Sequence, residues 1–348
     1  MLSLGAVVHD TDAVTAPRLL TTEVASAVAA LRLGGLVALP TETVYGLGAD
    51  ATNADAVARI YRVKGRPSHH PVIVHIIGAD ALAQWADVVP GYARRLADAL
   101  WPGPLTLVLP RAEHVGNYLT GGADTVALRS PDHPLTQAVL RGFGGGVAAP
   151  SANRFGRVSP TTAQHVLAEL GDRLDPGLDR ILDGGPCPVG LESTIVDATG
   201  NQPRVLRPGA VSTKQIETLT GQVVLGPDGA VRAPGTLASH YAPTARVVLT
   251  EPEGVDDALA AIGDAAPIGI MALATTPLDD NRFVDGSAVA LSRPDDVAGY
   301  ARDLYGALRR ADDDGLRVVL AVLPPDEGVG HAIRDRLQRA AHQLGATT

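Results

Sequence analysis

Cysteine and lysine are both nearly missing from this chain. The lone cysteine, Cys187, excludes an intramolecular disulfide framework and any multi-cysteine metal cluster, and a cytoplasmic setting is expected. Only two of the 29 basic residues are lysines, Lys64 and Lys214. Arginine stands almost everywhere that bare positive charge suffices, so Lys64, two residues before Arg66, stands out. An ammonium and a guanidinium are not interchangeable where oxyanions are gripped, and this pair supplies one of each. The chain is 45% hydrophobic, yet no apolar run approaches the roughly 18 residues of a membrane span. The opening MLSLGAVVHDTDAV has no basic region leading into an apolar core, so no signal peptide is expected. A net charge of -9 argues against a surface that holds nucleic acid non-specifically, while leaving room for a local basic pocket.

At 348 residues the chain is long for one core, since single cores tend to split beyond roughly 250 residues. Punctuation by glycine and proline divides it. Thr22 to Leu33 has helical spacing and stops at Gly34-Gly35. Asn53 to Val63 reads as a helix capped by Asn53 or Thr52, delivering Lys64 and Arg66 just past its end. Strands are expected at Leu36 to Leu39, Val72 to Ile77, Leu105 to Leu109, Thr125 to Leu128, Gly146 to Ala149, Ile195 to Asp197 and Gln202 to Leu206. Hairpin-like pairs mixed with crossovers suggest an α/β fold with a twisted mixed sheet. After a helix at Ser212 to Thr220, a glycine- and proline-rich stretch ends in PGTLASHYAP. Beyond it strands and helices alternate, as in a smaller parallel α/β (Rossmann-like) domain. The expected division is 1–215, a linker over 216–244, and 245–348.

The polar motifs sit at the ends of these elements. In PTETVYGLG, Pro40 to Gly48, hydroxyls and a carboxylate are expected on a turn that Gly46 and Gly48 let approach a ligand. It is neither of the standard glycine-rich phosphate loops. Alternation in TVALR puts Thr125, Ala127 and Arg129 on one face, a hydroxyl and a guanidinium together. PSAN, Pro150 to Asn153, followed by Ser159, offers small donors and acceptors; Ser151 is in no G-x-S-x-G elbow, which excludes a serine hydrolase of that kind. GLESTIVD and LRPG add Ser193, Thr194 and Arg207. His69, His70 and His75 lack the spacing of a helical zinc pair. Asp312 to Asp314 reads as a solvated turn, and Trp85 and Trp101 as packing residues.

Taken in order, PTETVYGLG, KGRP with HHPVIVHI, TVALRSPDHP, APSANRFGRVSPT, LESTIVD and VLRPG resemble the threonylcarbamoyl-AMP synthases, enzymes with a YrdC-like domain. The HYAP segment and the α/β tail are similar to the long form of that family. The resemblance implies a YrdC-like twisted mixed sheet and the condensation of L-threonine, bicarbonate and ATP to threonylcarbamoyl-AMP and pyrophosphate, for modification of tRNA. It implies that Lys64 and Arg66 act in catalysis, and that Thr43, His75, Arg129, Ser193 and the backbone of Ala149 hold threonine. Arg66, His70, Thr125, Ser151, Asn153, Ser159, Arg207 and, from the linker beside His240, Tyr241 would hold ATP. The linker departs from the commoner form of its motif at Thr236. Mg²⁺ would travel with ATP, and the product would pass to a tRNA threonylcarbamoyl transferase machinery. Two alternatives are an RNA-binding YrdC-like module and a carbamoyl-transfer accessory domain; the latter occurs beside cysteine-rich zinc modules, which a single cysteine cannot build.

Overall fold

In the computed structural model the described residues are 19–227, 241–263 and 267–342. The N-terminal segment read for a signal peptide, together with Thr236 and His240, lies outside them.

Short β-branched and alanine-rich runs, each ended by glycine, proline or a polar turn, pair into a sheet of ten strands among the described residues. They are β1 (Leu20–Thr21), β2 (Val37–Leu39), β3 (Gly46–Asp50), β4 (Ile73–His75), β5 (Leu105–Pro110), β6 (Thr125–Arg129), β7 (Val147–Ala148), β8 (Arg180–Leu182), β9 (Thr194–Asp197) and β10 (Arg204–Arg207). Their order is β1-β8-β2-β3-β7-β4-β6-β5-β9-β10. Parallel pairs such as β4 with β6 and β5 with β9 alternate with antiparallel ones such as β5 with β6 and β9 with β10. The sheet is therefore mixed, as the irregular order of strands and helices suggests.

The period of two sorts the strands' side chains onto two faces. Val74, Val126, Leu128 and Val196 join the largest core cluster, together with the helix residues Val57 and Ile60. On the opposite face Ile73, Val108, Ala127, Ile195 and Leu206 form a small apolar floor. The helix Ala54–Lys64 starts where the Asn53 side chain accepts from the backbone of Asp55 and Ala56. It stops at Gly65, whose φ of 63° suits glycine.

A second sheet, β11 (Arg246–Thr250), β12 (Ile268–Met271), β13 (Ala288–Ser292) and β14 (Val318–Val322), is parallel throughout in the order β11-β14-β12-β13. Its helices Val297–Asp313 and Gly330–Ala341 bear on the first sheet's loops. A Cβ on Gly190 would come within 2.5 Å of Arg302 Cα, so only glycine permits that approach. Arg309 donates to the carbonyls of Val158 and Ser159 and pairs with Glu169.

Three expectations are corrected. Gly46 and Gly48 do not lie on a turn: they are strand residues of β3, and a Cβ on Gly48 would sit 2.8 Å from Val147 Cγ1 and 3.0 Å from Val37 O. These glycines serve close strand packing rather than a bend. Asp312 is not simply solvated; it accepts from the backbone of Thr244 (2.7 Å) and Ala245 (3.0 Å) and from Arg157. The expected linker range 216–244 begins inside the helix Thr213–Thr220, which a Ser212–Gln215 capping box starts and Gly221 ends. Trp85 and Trp101 are buried, as expected of packing residues.

Candidate active site

One cavity opens above the small apolar floor. Val44, Gly46, Arg66, Ile73, His75, Arg129, Ala149, Pro150, Ser151, Glu192, Ser193, Arg207 and Tyr241 line it. Eight of the residues implied by the motifs thus meet there: Arg66, His75, Arg129, Ala149, Ser151, Ser193, Arg207 and Tyr241.

Each arrives by a local rule. Register in the parallel pair β4 and β6 sets His75 against Arg129, so imidazole and guanidinium share a level. Burial first, and the Arg129 charge second, push His75 down to about 3, which keeps the ring neutral. Arg129 is held from three sides, Nη2 on Glu42 (2.6 Å), Nη1 on the Thr43 hydroxyl (2.8 Å) and Nε on Gly103 O (3.3 Å). Thr43 is therefore behind the guanidinium, buried and also bonded to Thr41. Ser193 shares a hydrogen bond with Thr106 (2.7 Å).

Arg207 depends on an irregularity. Between Val205, which faces Val196, and Arg207, which faces Ile195, the register of β10 shifts by one residue. That bulge turns Arg207 to the face of Ile195, which is the cavity side, while Val205 stays on the core side. The guanidinium then donates to Ser193 O (2.9 Å) and Ser193 Oγ (3.1 Å).

Lys64 does not line the cavity. Its ammonium is buried and donates to Ser151 O (2.6 Å) and Asn153 O (2.5 Å), pinning the loop whose Ser151 does line it. Burial, then repulsion from Arg66, holds its pKa well below the ordinary lysine value. Asn153 secures the same loop by donating to the carbonyls of Arg154 and Arg157. Arg66 donates to Pro71 O (2.9 Å), and its guanidinium carbon lies 5.7 Å from the Phe155 ring centre. His70 packs edge-on against the same ring. Ser159 is buried and donates to Glu192 (2.6 Å). Thr125 begins the strand that Arg129 ends; it shares that face but stands outside the cavity lining.

Arg66 Nε, His75 Nδ1 and Asn153 Oδ1 are buried without a hydrogen-bond partner. Buried polar atoms are rarely left so, and a cluster of them beside one cavity marks a place where a polar ligand completes the network. No group of three or more His, Cys, Asp or Glu side chains among the described residues could hold a metal ion, and no described helix is long and apolar enough to cross a membrane.

Glu42 and Glu192 lie within the motifs, but the sequence alone assigns them no role. Glu42 fixes Arg129. Glu192 accepts from Ser159, Tyr305 and Arg336, the last two from the second domain. A carboxylate between Leu191 and the Ser-Thr-Ile-Val run was the available signal for burial; the identity of its partners had none.

These features define a two-domain α/β protein in which arginines from separate strands and loops wall a cavity on a mixed sheet. Residues 29–209 match the Sua5, YciO and YrdC family described as "Telomere recombination", and residues 211–342 match the family described as "Threonylcarbamoyl-AMP synthase, C-terminal domain". A threonylcarbamoyl-AMP synthase of Bacillus subtilis is 39% identical, covering 92% of this chain and 93% of its own length. One from Pyrococcus abyssi is 37% identical over 89% and 92%. The crystal structure of P. abyssi Sua5 complexed with L-threonine superposes with a TM-score of 0.83 at 37% identity, covering 91% of this chain and 94% of that one. The chain belongs to the threonylcarbamoyl-AMP synthase family, in its long form with the additional C-terminal domain, and family membership makes it an enzyme of nucleotidyltransferase type.

Proposed function

We propose that the protein condenses L-threonine, bicarbonate and ATP to threonylcarbamoyl-AMP with release of pyrophosphate, supplying a tRNA threonylcarbamoyl transferase machinery in the cytoplasm. The observation that carries this reading is the convergence of Arg66, Arg129 and Arg207 on one cavity that also holds partnerless buried polar atoms at Arg66 and His75.

The chemistry asks for such a wall. The threonine amine and bicarbonate give a carbamate and water; a carbamate oxygen then attacks the α-phosphorus while the bond to pyrophosphate breaks. Two anions must be brought together, and negative charge grows on the leaving group. Fixed cations in a site shielded from water lower that barrier, mostly by positioning. In this reading Arg129 binds the threonine carboxylate, with Thr43, His75, Ser193 and the Ala149 backbone around it. Neutral His75 can donate or accept a hydrogen bond, and does so without adding charge. Arg66 and Arg207 meet the phosphates. His70, Thr125, Ser151, Asn153, Ser159 and Tyr241 complete the nucleotide side, and Lys64 acts on the reaction by fixing the loop that carries Ser151 and Asn153.

Mg²⁺ enters with ATP, because the residues here do not fit a protein-held metal. Glu192 is the one carboxylate among the described lining residues, and both its oxygens are engaged, Oε1 by Ser159 and Oε2 by Tyr305 and Arg336. Phosphate oxygens and water are then the metal's ligands.

The test is mass spectrometry of products after incubating purified protein with ATP and bicarbonate and, in turn, threonine, serine and no amino acid. Threonylcarbamoyl-AMP and pyrophosphate are expected with threonine. Wild-type pyrophosphate release by both Lys64→Ala and Arg66→Ala would refute the roles given to those residues.

A further inference from the structure

The cavity is finished by the second domain. Glu192, on the cavity lining, offers Oε2 to Tyr305 Oη (2.7 Å) and to Arg336 Nε (3.0 Å), while Oε1 takes the Ser159 hydroxyl (2.6 Å). Arg336 is fully buried. It also donates to Pro208 O (3.0 Å), next to Arg207, and pairs with Asp335. Its guanidinium carbon lies 5.3 Å from the centre of the Tyr241 ring, which stacks at 5.5 Å on Tyr305. Tyr241 holds a φ of 63°, a left-handed conformation that a bulky side chain adopts only when its surroundings enforce it. Arg336 and Tyr305 are packed against its ring.

A buried ion pair is a poor way to gain stability, because desolvation offsets most of the attraction. Its distinctive effect is geometric. Here one arginine and one tyrosine fix a carboxylate, the serine behind it, the chain beside Arg207 and the Tyr241 ring. Glu192, Ser159 and Tyr241 lie on the nucleotide side, and Ser193, adjacent to Glu192 and bonded by Arg207, is the threonine-side residue that this network reaches.

We propose that Arg336 and Tyr305 are positioning residues, acting through Glu192 and Tyr241, by which the C-terminal domain completes the ATP-binding wall of the first. This rests on the reading that Ser159, Arg207 and Tyr241 hold ATP. ATP affinity is then set partly by side chains of the second domain, and threonine affinity, reached only through Ser193, much less so.

The test uses full-length wild type, Tyr305→Phe, Arg336→Lys, Arg336→Met, Glu192→Gln and the Glu192→Gln/Arg336→Met double variant. ATP binding is measured by calorimetry, steady-state KM and kcat by pyrophosphate release, and folding by thermal unfolding. Losing one charged hydrogen bond at the wall predicts a rise of about tenfold in the ATP Kd and KM for Arg336→Met, and about threefold for Tyr305→Phe. Arg336→Lys falls between, the threonine KM stays within about twofold of wild type, and Arg336→Met has a smaller effect in the Glu192→Gln background.

Folded variants with unchanged ATP Kd overturn the proposal. So does a kcat loss that merely tracks the unfolded fraction, or an equal rise in threonine KM. If Arg336→Met does not fold, Tyr305→Phe decides by the same criteria. A wild type that binds ATP but makes no pyrophosphate with threonine and bicarbonate refutes the proposed reaction, and the calorimetry still decides the positioning role. A wild type that binds no ATP overturns both.

Discussion

Arg129 is presented to the cavity by a buried carboxylate, and that makes Glu42 as consequential as the arginine itself. Glu42→Gln leaves the guanidinium buried with its charge uncompensated. We expect a loss of about 3 kcal/mol, read as a lower urea midpoint at unchanged slope, together with weaker threonine binding. His75 carries a second prediction. Its folded-state pKa of about 3 lies below the unfolded value near 6.5. Across that window the unfolded chain takes up a proton that the folded protein, with Arg129 against the ring, refuses. Stability should therefore fall as pH drops from about 6.5 towards 3, and His75→Gln should flatten the dependence by one proton. Unfolding free energies measured at intervals from pH 7 to 4 check this; an unchanged slope in the variant contradicts it. At this scale the motifs exposed much of the candidate site, because hydroxyls, amides and arginines at strand ends are visible in any sequence. They carry no sign that the Lys64 ammonium faces two carbonyls behind the wall.

Strands differ in how faithfully alternation reports them. β6 keeps strict period two, so Thr125, Ala127 and Arg129 share a face as TVALR predicts, with Val126 and Leu128 in the main core. β10 does not. Alternation from Val205 would place Arg207 on the core side, and the extra residue of the bulge reverses it. Deleting Leu206 should restore the regular register with Arg207 still opposite Ile195 on the cavity side, and remove only the Leu206 side chain from the apolar floor. The expected outcome is ATP binding retained by calorimetry in a protein with a lower thermal midpoint; loss of binding in a folded variant would count against this register. The glycines of β3 give a further element-scale prediction. Gly48→Ala pushes a methyl group against Val147 and the carbonyl of Val37, and overpacking of that kind costs about 1–3 kcal/mol, seen as a lower thermal midpoint. The sequence could show that glycine was needed there but not whether for a turn or for a close strand.

Across the whole molecule, Glu192 ties the two domains together, and its ionisation should be visible in the pH dependence of stability. Burial alone would raise its pKa, but Arg336 and Arg207 and the hydroxyls of Ser159 and Tyr305 bring it to about 2, below the ordinary value of 4.5. Its contribution is therefore fully present above about pH 4.5 and is lost as pH falls through about 2. Scanning calorimetry over that range should show the steep acid destabilisation of the wild type reduced in Glu192→Gln, which has no carboxylate to protonate. Most strands of the two sheets, the parallel nature of the second and the family itself were legible in the chain, since spacing, caps and breakers act over a handful of positions; the short strands β1 and β8, the glycine-rich β3 and the helices Pro134–Phe143 and Ala163–Leu170 were not. Which faces meet was not. Glu192 and Arg336 are 144 positions apart, and Lys64 and Ser151 are 87 apart. Such pairings arise when packed surfaces desolvate particular groups against one another, a contest settled by the whole folded shape and left unmarked by any local run of residues.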